Sequence, residues 1–136
     1  MVLLAKSYRV ALMRVLKWSL IFVALAITSP AAATPLEEAT KLYMTGDLKA
    51  AYKFAVARLD EGDYDTAYRL LNRLAGTDNV PEAQEKMGLI FERGLGVPKN
   101  YERAFDWYNM SAFQGYVEAQ FALATLYFEE IGRAHV

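Results

Sequence analysis

A short pattern recurs in this chain at a spacing of 36 residues, and this repeat constrains the fold more than any other feature. A shift of that length aligns Glu82-Ala83-Gln84 with Glu118-Ala119-Gln120 and keeps the next apolar positions in register. A shift of 16 residues aligns the segment 46–52 with the segment 62–68. A period of this length built from two helices is the signature of a solenoid. The sequence therefore predicts an all-α fold, an α-α superhelix of stacked helix pairs.

Six helices are predicted after Thr34, because apolar residues recur there at helical spacing and no alternating strand pattern is present. Their predicted bounds are 36–45, 48–59, 63–75, 82–93, 101–113 and 117–129. Helix ends with a left-handed backbone are expected at Gly46, Gly62, Gly76, Gly94 and Gly115. N-caps are expected at Asp47, Asp63 and Asn100.

Two small residues mark the places where neighbouring helices are expected to approach closely. Gly88 and Ala124 are 36 residues apart, and a larger side chain at either position would push the helix pair apart. Phe91 and Trp107 are expected to supply large buried areas to the core.

The segment that contains these positions carries a long and distinctive motif. It reads Ala83-x-x-x-Met87-Gly88-x-x-Phe91-x-x-Gly94-x-Gly96-Val97-x-x-Asn100-x-x-x-Ala104-x-x-Trp107-Tyr108-x-x-Ser111-Ala112-x-x-Gly115. This motif resembles the Sel1-like repeat, which is related to the tetratricopeptide (TPR) repeat. The departures are conservative: Met87, Phe91, Asn100 and Ser111 stand where the family pattern has Leu, Tyr, Asp and Ala. The positions that the resemblance makes repeat-defining are Ala83, Gly88, Phe91, Gly94, Gly96, Ala104, Trp107, Tyr108, Ala112, Gly115, Ala119, Ala124 and Tyr127.

The resemblance implies a helical-hairpin solenoid with a definite division of the chain. Residues 34–80 form a divergent TPR-like unit, residues 81–116 a complete Sel1-like repeat, and residues 117–129 the first helix of a truncated following repeat. Members of the family are mostly adaptors that hold other proteins along their stacked helices. The resemblance therefore implies a non-catalytic scaffold without a cofactor.

The first 33 residues have the layout of a secretory signal peptide. Four basic residues and no acidic residue precede the apolar run 18–28. The small residues Ala31 and Ala33 follow Pro30. We expect cleavage after Ala33, so that the mature chain starts at Thr34. Met13 is an alternative start, and an uncleaved membrane anchor is the alternative function of the segment.

The last residues break the repeat. Ile131-Gly132-Arg133-Ala134-His135-Val136 is the translation of a common sequencing-adapter sequence, and the adapter's preceding letters complete the codon of residue 130. We therefore interpret residues 130–136 as an adapter artefact and expect the native sequence of this fragment to end near Glu129. An apolar face on the last helix would then lack its partner, and residues 117–128 are expected to support self-association.

Composition excludes several function classes. The chain has no cysteine and one histidine, His135, so the usual nucleophiles, acid–base groups and zinc ligands are absent or lie in the suspect tail. Residues 34–130 hold all 16 acidic residues and 10 of the 15 basic ones, which disfavours nucleic acid as a partner. We expect no catalytic, cofactor or metal residues, and we interpret the acidic cluster 60–65 as helix caps and solvated surface rather than a calcium loop.

The sequence thus predicts an exported, periplasmic scaffold of a Gram-negative bacterium that binds other proteins or peptides across successive first helices. It would meet the membrane only transiently, through the signal peptide. Two alternatives stay open: a fragment of a larger cell-envelope enzyme whose catalytic part follows residue 129, and a membrane-tethered regulator that keeps its leader.

Overall fold

The computed structural model describes residues 32–134. The signal-peptide prediction, with Ala31 of its cleavage site, and the terminal His135 and Val136 lie outside the described residues. The chain divides into the units 1–33 and 34–136, and the fold described below is that of the second unit.

The described residues form six α-helices and no strand, so the prediction of an all-α chain is confirmed for this part of it. The helices are α1 Pro35–Met44, α2 Leu48–Asp60, α3 Tyr64–Gly76, α4 Pro81–Arg93, α5 Tyr101–Phe113 and α6 Val117–Ala134. The first five begin and end within one residue of the predicted bounds. The sixth continues through Ala134, past the expected end at residue 129.

Three short polar side chains start helices as expected. Asp47, Asp63 and Asn100 each accept the backbone N–H of the residue three positions later, at 2.9, 3.3 and 2.9 Å. Thr34 adds a cap that the sequence reading missed. Its Oγ1 accepts the N–H of Glu37 at 3.3 Å, and Glu37 Oε2 accepts the N–H of Thr34 at 2.9 Å. Each cap of this kind stabilises its helix by about 1 kcal/mol.

The expectation of a left-handed Gly76 is wrong. Gly76 is the last residue of α3, and the positive φ in this turn belongs to Asn79, at 55°. The helix end is followed by a longer turn, in which the N–H of Asp78 bonds back to Arg73 O and the N–H of Val80 to Leu74 O. The reversal of the chain therefore falls three residues later, on an asparagine, which tolerates this conformation better than most residues.

Each helix packs mainly on its neighbours in sequence, and α1 packs on both α2 and α3. The core runs along the stack as a continuous cluster of small and aliphatic residues with two buried rings. Its fully or nearly fully buried members are Ala39, Ala51, Ala55, Ala67, Leu70, Leu71, Leu74, Ala75, Ala83, Met87, Ile90, Phe91, Ala104 and Tyr108. None of the helices in the described residues is both long and apolar enough to cross a membrane.

Helices α4 and α5 approach each other closely at Gly88 on α4. A Cβ built on this glycine would lie 2.5 Å from ring carbons Cδ1 and Cε1 of Tyr108, so the two helices meet here only because Gly88 has no side chain. Tyr108 is 1% exposed, and its hydroxyl donates to Glu92 Oε2 at 2.5 Å. Ala124 holds the equivalent position on α6 but is exposed, because no described helix covers that side. The close helix contact expected at Ala124 is therefore not present within the described residues.

A glutamine fastens each later unit to the helix before it. Gln84 Nε2 donates to the carbonyl of Ala75 at 3.1 Å, and Gln120 Nε2 donates to the carbonyl of Ala112 at 3.4 Å. The first of these glutamines is fully buried and also bonds Asn79 and Gln114. These bonds satisfy carbonyls near helix C-termini, which have no partner within their own helix. They also fix the offset between one helix pair and the next.

Candidate functional site

The first helices of successive pairs, α2, α4 and α6, bring a group of polar and aromatic side chains together. We call this surface the first-helix face. It consists of Tyr52 on α2, Glu82 and Glu85 on α4, Tyr116 directly before α6, and Glu118 in the first turn of α6. The repeat places these residues, because Glu82 and Glu118 are 36 positions apart and hold the same place in successive units.

Burial and the charges carried by other residues of this face raise the pKa values of both tyrosines. Burial, followed by the charges of Tyr116 and of the three glutamates, raises the pKa of Tyr52 well above its ordinary value of about 10. Burial, followed by the same three carboxylates, also raises the pKa of Tyr116. Both hydroxyls are therefore neutral at physiological pH and available as hydrogen-bond donors.

Glu85 is the unusual member of the face. It is only 9% exposed, although acids are rarely buried to this extent without a hydrogen-bonded charge partner. Lys86 Nζ lies 2.9 Å from its Oε2, yet the approach is outside hydrogen-bonding geometry, and this buried oxygen has no donor among the described residues. The carboxylate of Glu85 is therefore ion-paired with Lys86 but not hydrogen-bonded to it.

An apolar margin adjoins the face. Phe121 on α6 holds the position that Glu85 holds on α4, and it is 75% exposed. Phe113 and Val117 are exposed close by in sequence, at the end of α5 and the start of α6. Sequence reasoning placed the apolar face of α6 at positions 119, 122, 123, 126 and 127. In the structure Ala119 and Leu126 are buried, so the exposed apolar residues are largely different ones.

A second surface lies between α3 and α5, and we call it the α3–α5 groove. It encloses about 330 Å³ and is lined by Tyr68, Asn72, Phe91, Arg103, Asp106, Trp107 and Met110. Trp107 is partly buried: its side chain packs against the core cluster and also forms a wall of this groove. Helical spacing alone could not separate a groove wall from a core position on the same side of α5.

The other repeat-defining residues have mainly structural positions. Ala83, Ala104 and Ala119 are fully buried, and Ala112 is partly buried. Gly94 ends α4 and Gly96 follows in the same turn, both with φ of 71°. Gly115 is exposed with φ of 87°. Tyr127 is half exposed, and its ring meets Phe105 edge-on at 5.4 Å. Of the cleavage-site residues, Ala33 and Thr34 are exposed.

The acidic cluster at residues 60–65 is arranged as surface and caps. Asp63 caps α3, Asp65 pairs with Arg69 at 3.0 Å, and Glu61 pairs with Arg58 at 2.7 Å. Within residues 32–134 no three acidic or histidine side chains are grouped so that they could hold a metal ion.

Comparison with known families identifies the repeat. Residues 81–116 and 117–134 each match the family model of the Sel1 repeat. No curated protein and no solved structure matches the chain. The first match covers the pair α4–α5 and the second covers α6, the helices that carry Glu85, the Gly88–Tyr108 contact and the α6 side of the first-helix face. The similarity to the Sel1 repeat therefore extends over residues 81–134.

Proposed function

We propose that this protein is a non-catalytic scaffold, exported to the periplasm of a Gram-negative bacterium, that binds another protein across its first-helix face. Sel1 repeats generally mediate protein–protein interaction, and this chain carries them over the helices that form most of that face. The exported location rests on the layout of residues 1–33, with its basic start, apolar run and small residues before Thr34.

The observation that carries the proposal is the composition of the first-helix face. Three helices and the residue directly before α6 supply two partly buried tyrosines, three carboxylates and, at the margin, the exposed ring of Phe121. Protein interfaces combine aromatic anchors with a few charged groups, and aromatic residues carry much of their binding energy. Phe121 is 75% exposed, and Phe113 and Val117 are exposed near it in sequence; several exposed apolar side chains of this kind are common at protein-binding surfaces.

Site-specific photocrosslinking tests the binding surface. We expect p-benzoylphenylalanine at Phe121 to give a discrete crosslinked adduct in the periplasmic fraction. The same group at Met110, in the α3–α5 groove, is the matched control and is expected to give none. Adducts at Met110 but not at Phe121 would place the binding surface at the α3–α5 groove instead.

The exported state has its own test. Expressed in a Gram-negative host, the protein is expected in the periplasmic fraction with Thr34 as its first residue. N-terminal sequencing that finds the full-length chain in the membrane fraction would contradict cleavage and favour the tethered alternative.

A further inference from the structure

A pocket lies between α1 and α3, and it contains none of the residues of the first-helix face. We call it the α1–α3 pocket. It encloses about 260 Å³, and its lining includes Leu36, Ala39, Tyr43, Leu70 and two arginines, Arg69 and Arg73. Pockets that hold drug-sized ligands measure about 300–1,000 Å³, so the α1–α3 pocket suits a smaller molecule or a single side chain.

The two arginines place positive charge on one wall of this pocket. Arg69 and Arg73 are four residues apart on α3, and residues at this spacing are neighbours on one face of a helix. Both side chains line the pocket, and no acidic side chain of the described residues lines it with them. Like charges at this spacing repel each other. An anion bound to both guanidinium groups replaces that repulsion by attraction.

Each guanidinium is held by a contact that leaves most of its donors unused. Arg69 donates from Nε to the two carboxylate oxygens of Asp65, at 3.1 and 3.0 Å, and its terminal nitrogens have no acceptor in the described part of the chain. The Cζ of Arg73 lies 4.7 Å from the centre of the Tyr43 ring. This guanidinium has no hydrogen-bonded or ion-paired acceptor within residues 32–134. Because a guanidinium carries five N–H donors, both arginines can bind a further anion.

Two acidic residues near the pocket leave these donors available. Asp65 is 70% exposed and contacts Arg69 through Nε alone. Asp78, in the turn that follows α3, forms no ion pair with either arginine among the described residues. These carboxylates reduce the net positive charge around the pocket, but they do not take the terminal guanidinium nitrogens.

The rest of the lining is largely apolar, and this selects the kind of anion. Ala39 is 2% exposed and Leu70 is 4% exposed, so both belong to the inner surface of the pocket, and Leu36 lies at its more exposed side at 38%. An alkyl group placed against this surface is removed from water, which is favourable. Guanidinium groups match the planar, two-oxygen geometry of a carboxylate. A carboxylate with a short alkyl group satisfies both parts of the pocket, whereas inorganic phosphate satisfies only the arginines.

We propose that the α1–α3 pocket binds a carboxylate that carries a short alkyl group, with Arg69 and Arg73 as the donors and the alkyl group against Ala39 and Leu70. A free short-chain organic acid has this chemistry, and so does the C-terminus of a polypeptide that ends in an aliphatic residue. The inference goes beyond the proposed function, because the pocket shares no residue with the first-helix face.

Titration of the ¹⁵N-labelled protein, followed by NMR at neutral pH, tests the inference. The probes are isocaproate, its neutral isostere isocaproamide, the peptides Ac-GGL-OH and Ac-GGL-NH2, and inorganic phosphate. We expect saturable shifts of the Ala39, Thr40 and Leu70 amides with isocaproate, with Ac-GGL-OH, or with both. Each carboxylate that binds is expected to do so about tenfold or more tightly than its amide. The tighter of the two carboxylates identifies the source, a free acid or a chain terminus.

Matched variants separate the pocket from general attraction of anions. Arg73→Gln is expected to weaken carboxylate binding about tenfold or more, whereas Arg93→Gln, which removes an exposed arginine at the end of α4, is expected to leave it unchanged. Asp65→Asn releases Nε of Arg69, so binding is expected to be at least as tight as in the parent protein. Circular dichroism of each variant checks that the helices are retained.

Several results would overturn the inference. They are equal binding of the carboxylates and their amides, no binding of any probe, and phosphate binding as tight as that of the carboxylates. Equal weakening by Arg73→Gln and Arg93→Gln would do the same, and so would weaker binding in a folded Asp65→Asn protein. None of these results bears on crosslinking at Phe121, so the proposed function is tested separately.

Discussion

The contact between Gly88 and Tyr108 predicts an effect of opposite sign at two glycines of the same protein. Gly88→Ala adds one methyl group, which would start 2.5 Å from two carbons of the Tyr108 ring. Carbon atoms pack at about 3.5–4.0 Å, so ring and helix must separate by about 1 Å. The ring cannot rotate away easily, because it is buried and its hydroxyl is bonded to Glu92.

The magnitude is the difference between two terms. Alanine in a helix interior is more favourable than glycine by about 1 kcal/mol, and overpacking a tight core costs about 1–3 kcal/mol. Since the ring is held at both ends, we expect the overpacking term to prevail, with a net loss of about 1–2 kcal/mol for Gly88→Ala. For a domain of this size each kcal/mol corresponds to a fall in Tm of roughly 4–8 °C.

Gly76→Ala is the matched control. Gly76 is also helical, its φ is not positive, and a Cβ there would meet nothing within 4 Å. This substitution is therefore expected to stabilise the protein by about 0.5–1 kcal/mol. Thermal and urea unfolding followed by circular dichroism measures both effects. A rise in Tm for Gly88→Ala like that for Gly76→Ala would refute the argument, and so would a loss at Gly88 that persists unchanged when Tyr108 is replaced by Ala.

Three further predictions concern the core and its hydrogen bonds. Phe91→Ala is expected to lower the free energy of unfolding by about 3–5 kcal/mol. Trp107→Ala is expected to lower it by less than about 2 kcal/mol, because the groove is open to solvent and no closed cavity forms. Equal losses in urea unfolding would show that Trp107 supports the core as much as Phe91 does. Burial and the hydrogen bond to Glu92 raise the pKa of Tyr108 above its value in the unfolded chain. The neutral hydroxyl therefore stabilises the fold fully below about pH 10, and this stabilisation is lost as the pH rises further. Stability measured from pH 9 to 11 is expected to fall less steeply in Tyr108→Phe, and parallel profiles would contradict this. Gln84→Leu removes buried hydrogen bonds and is expected to lower the free energy of unfolding by about 2–3 kcal/mol. Gln120→Leu is expected to lower it by less than about 1 kcal/mol, because the bond of Gln120 is long and exposed. Equal shifts in Tm would argue against a stabilising role of the buried hydrogen bonds of Gln84.

Helix positions could be predicted because local chemistry decides them. Asp47, Asp63 and Asn100 cap a helix through their own side chains, and an apolar stripe at helical spacing is visible in any single sequence. The turn after Gly76 could not be predicted in this way. Its conformation depends on backbone bonds to Arg73 and Leu74 that several alternative turns would also allow.

The surfaces were less predictable than the helices. Spacing places Trp107 on the inner side of α5, but only the position of α3 decides that the ring meets a groove rather than a closed core. Ala124 is a small residue at the position equivalent to Gly88 in the next unit. Its burial depends on a covering helix, which the described residues do not supply. Glu85 gave no local signal, because its burial depends on the other segments that pack against α4. Conditions that depend on three segments at once cannot be read from periodicity.

The glutamine bonds between units have a consequence for how such a chain can evolve. Gln84 and Gln120 each belong to the unit that they attach, and each donates to a carbonyl of the helix immediately before it. Duplication of a 36-codon segment would therefore copy a structural module together with its own connector, and the existing contacts would remain as they are. In a protein whose stability is nearly a sum of local and nearest-neighbour terms, the array can gain or lose units one at a time. Selection can thus adjust the length of the binding surface separately from the stability of each joint.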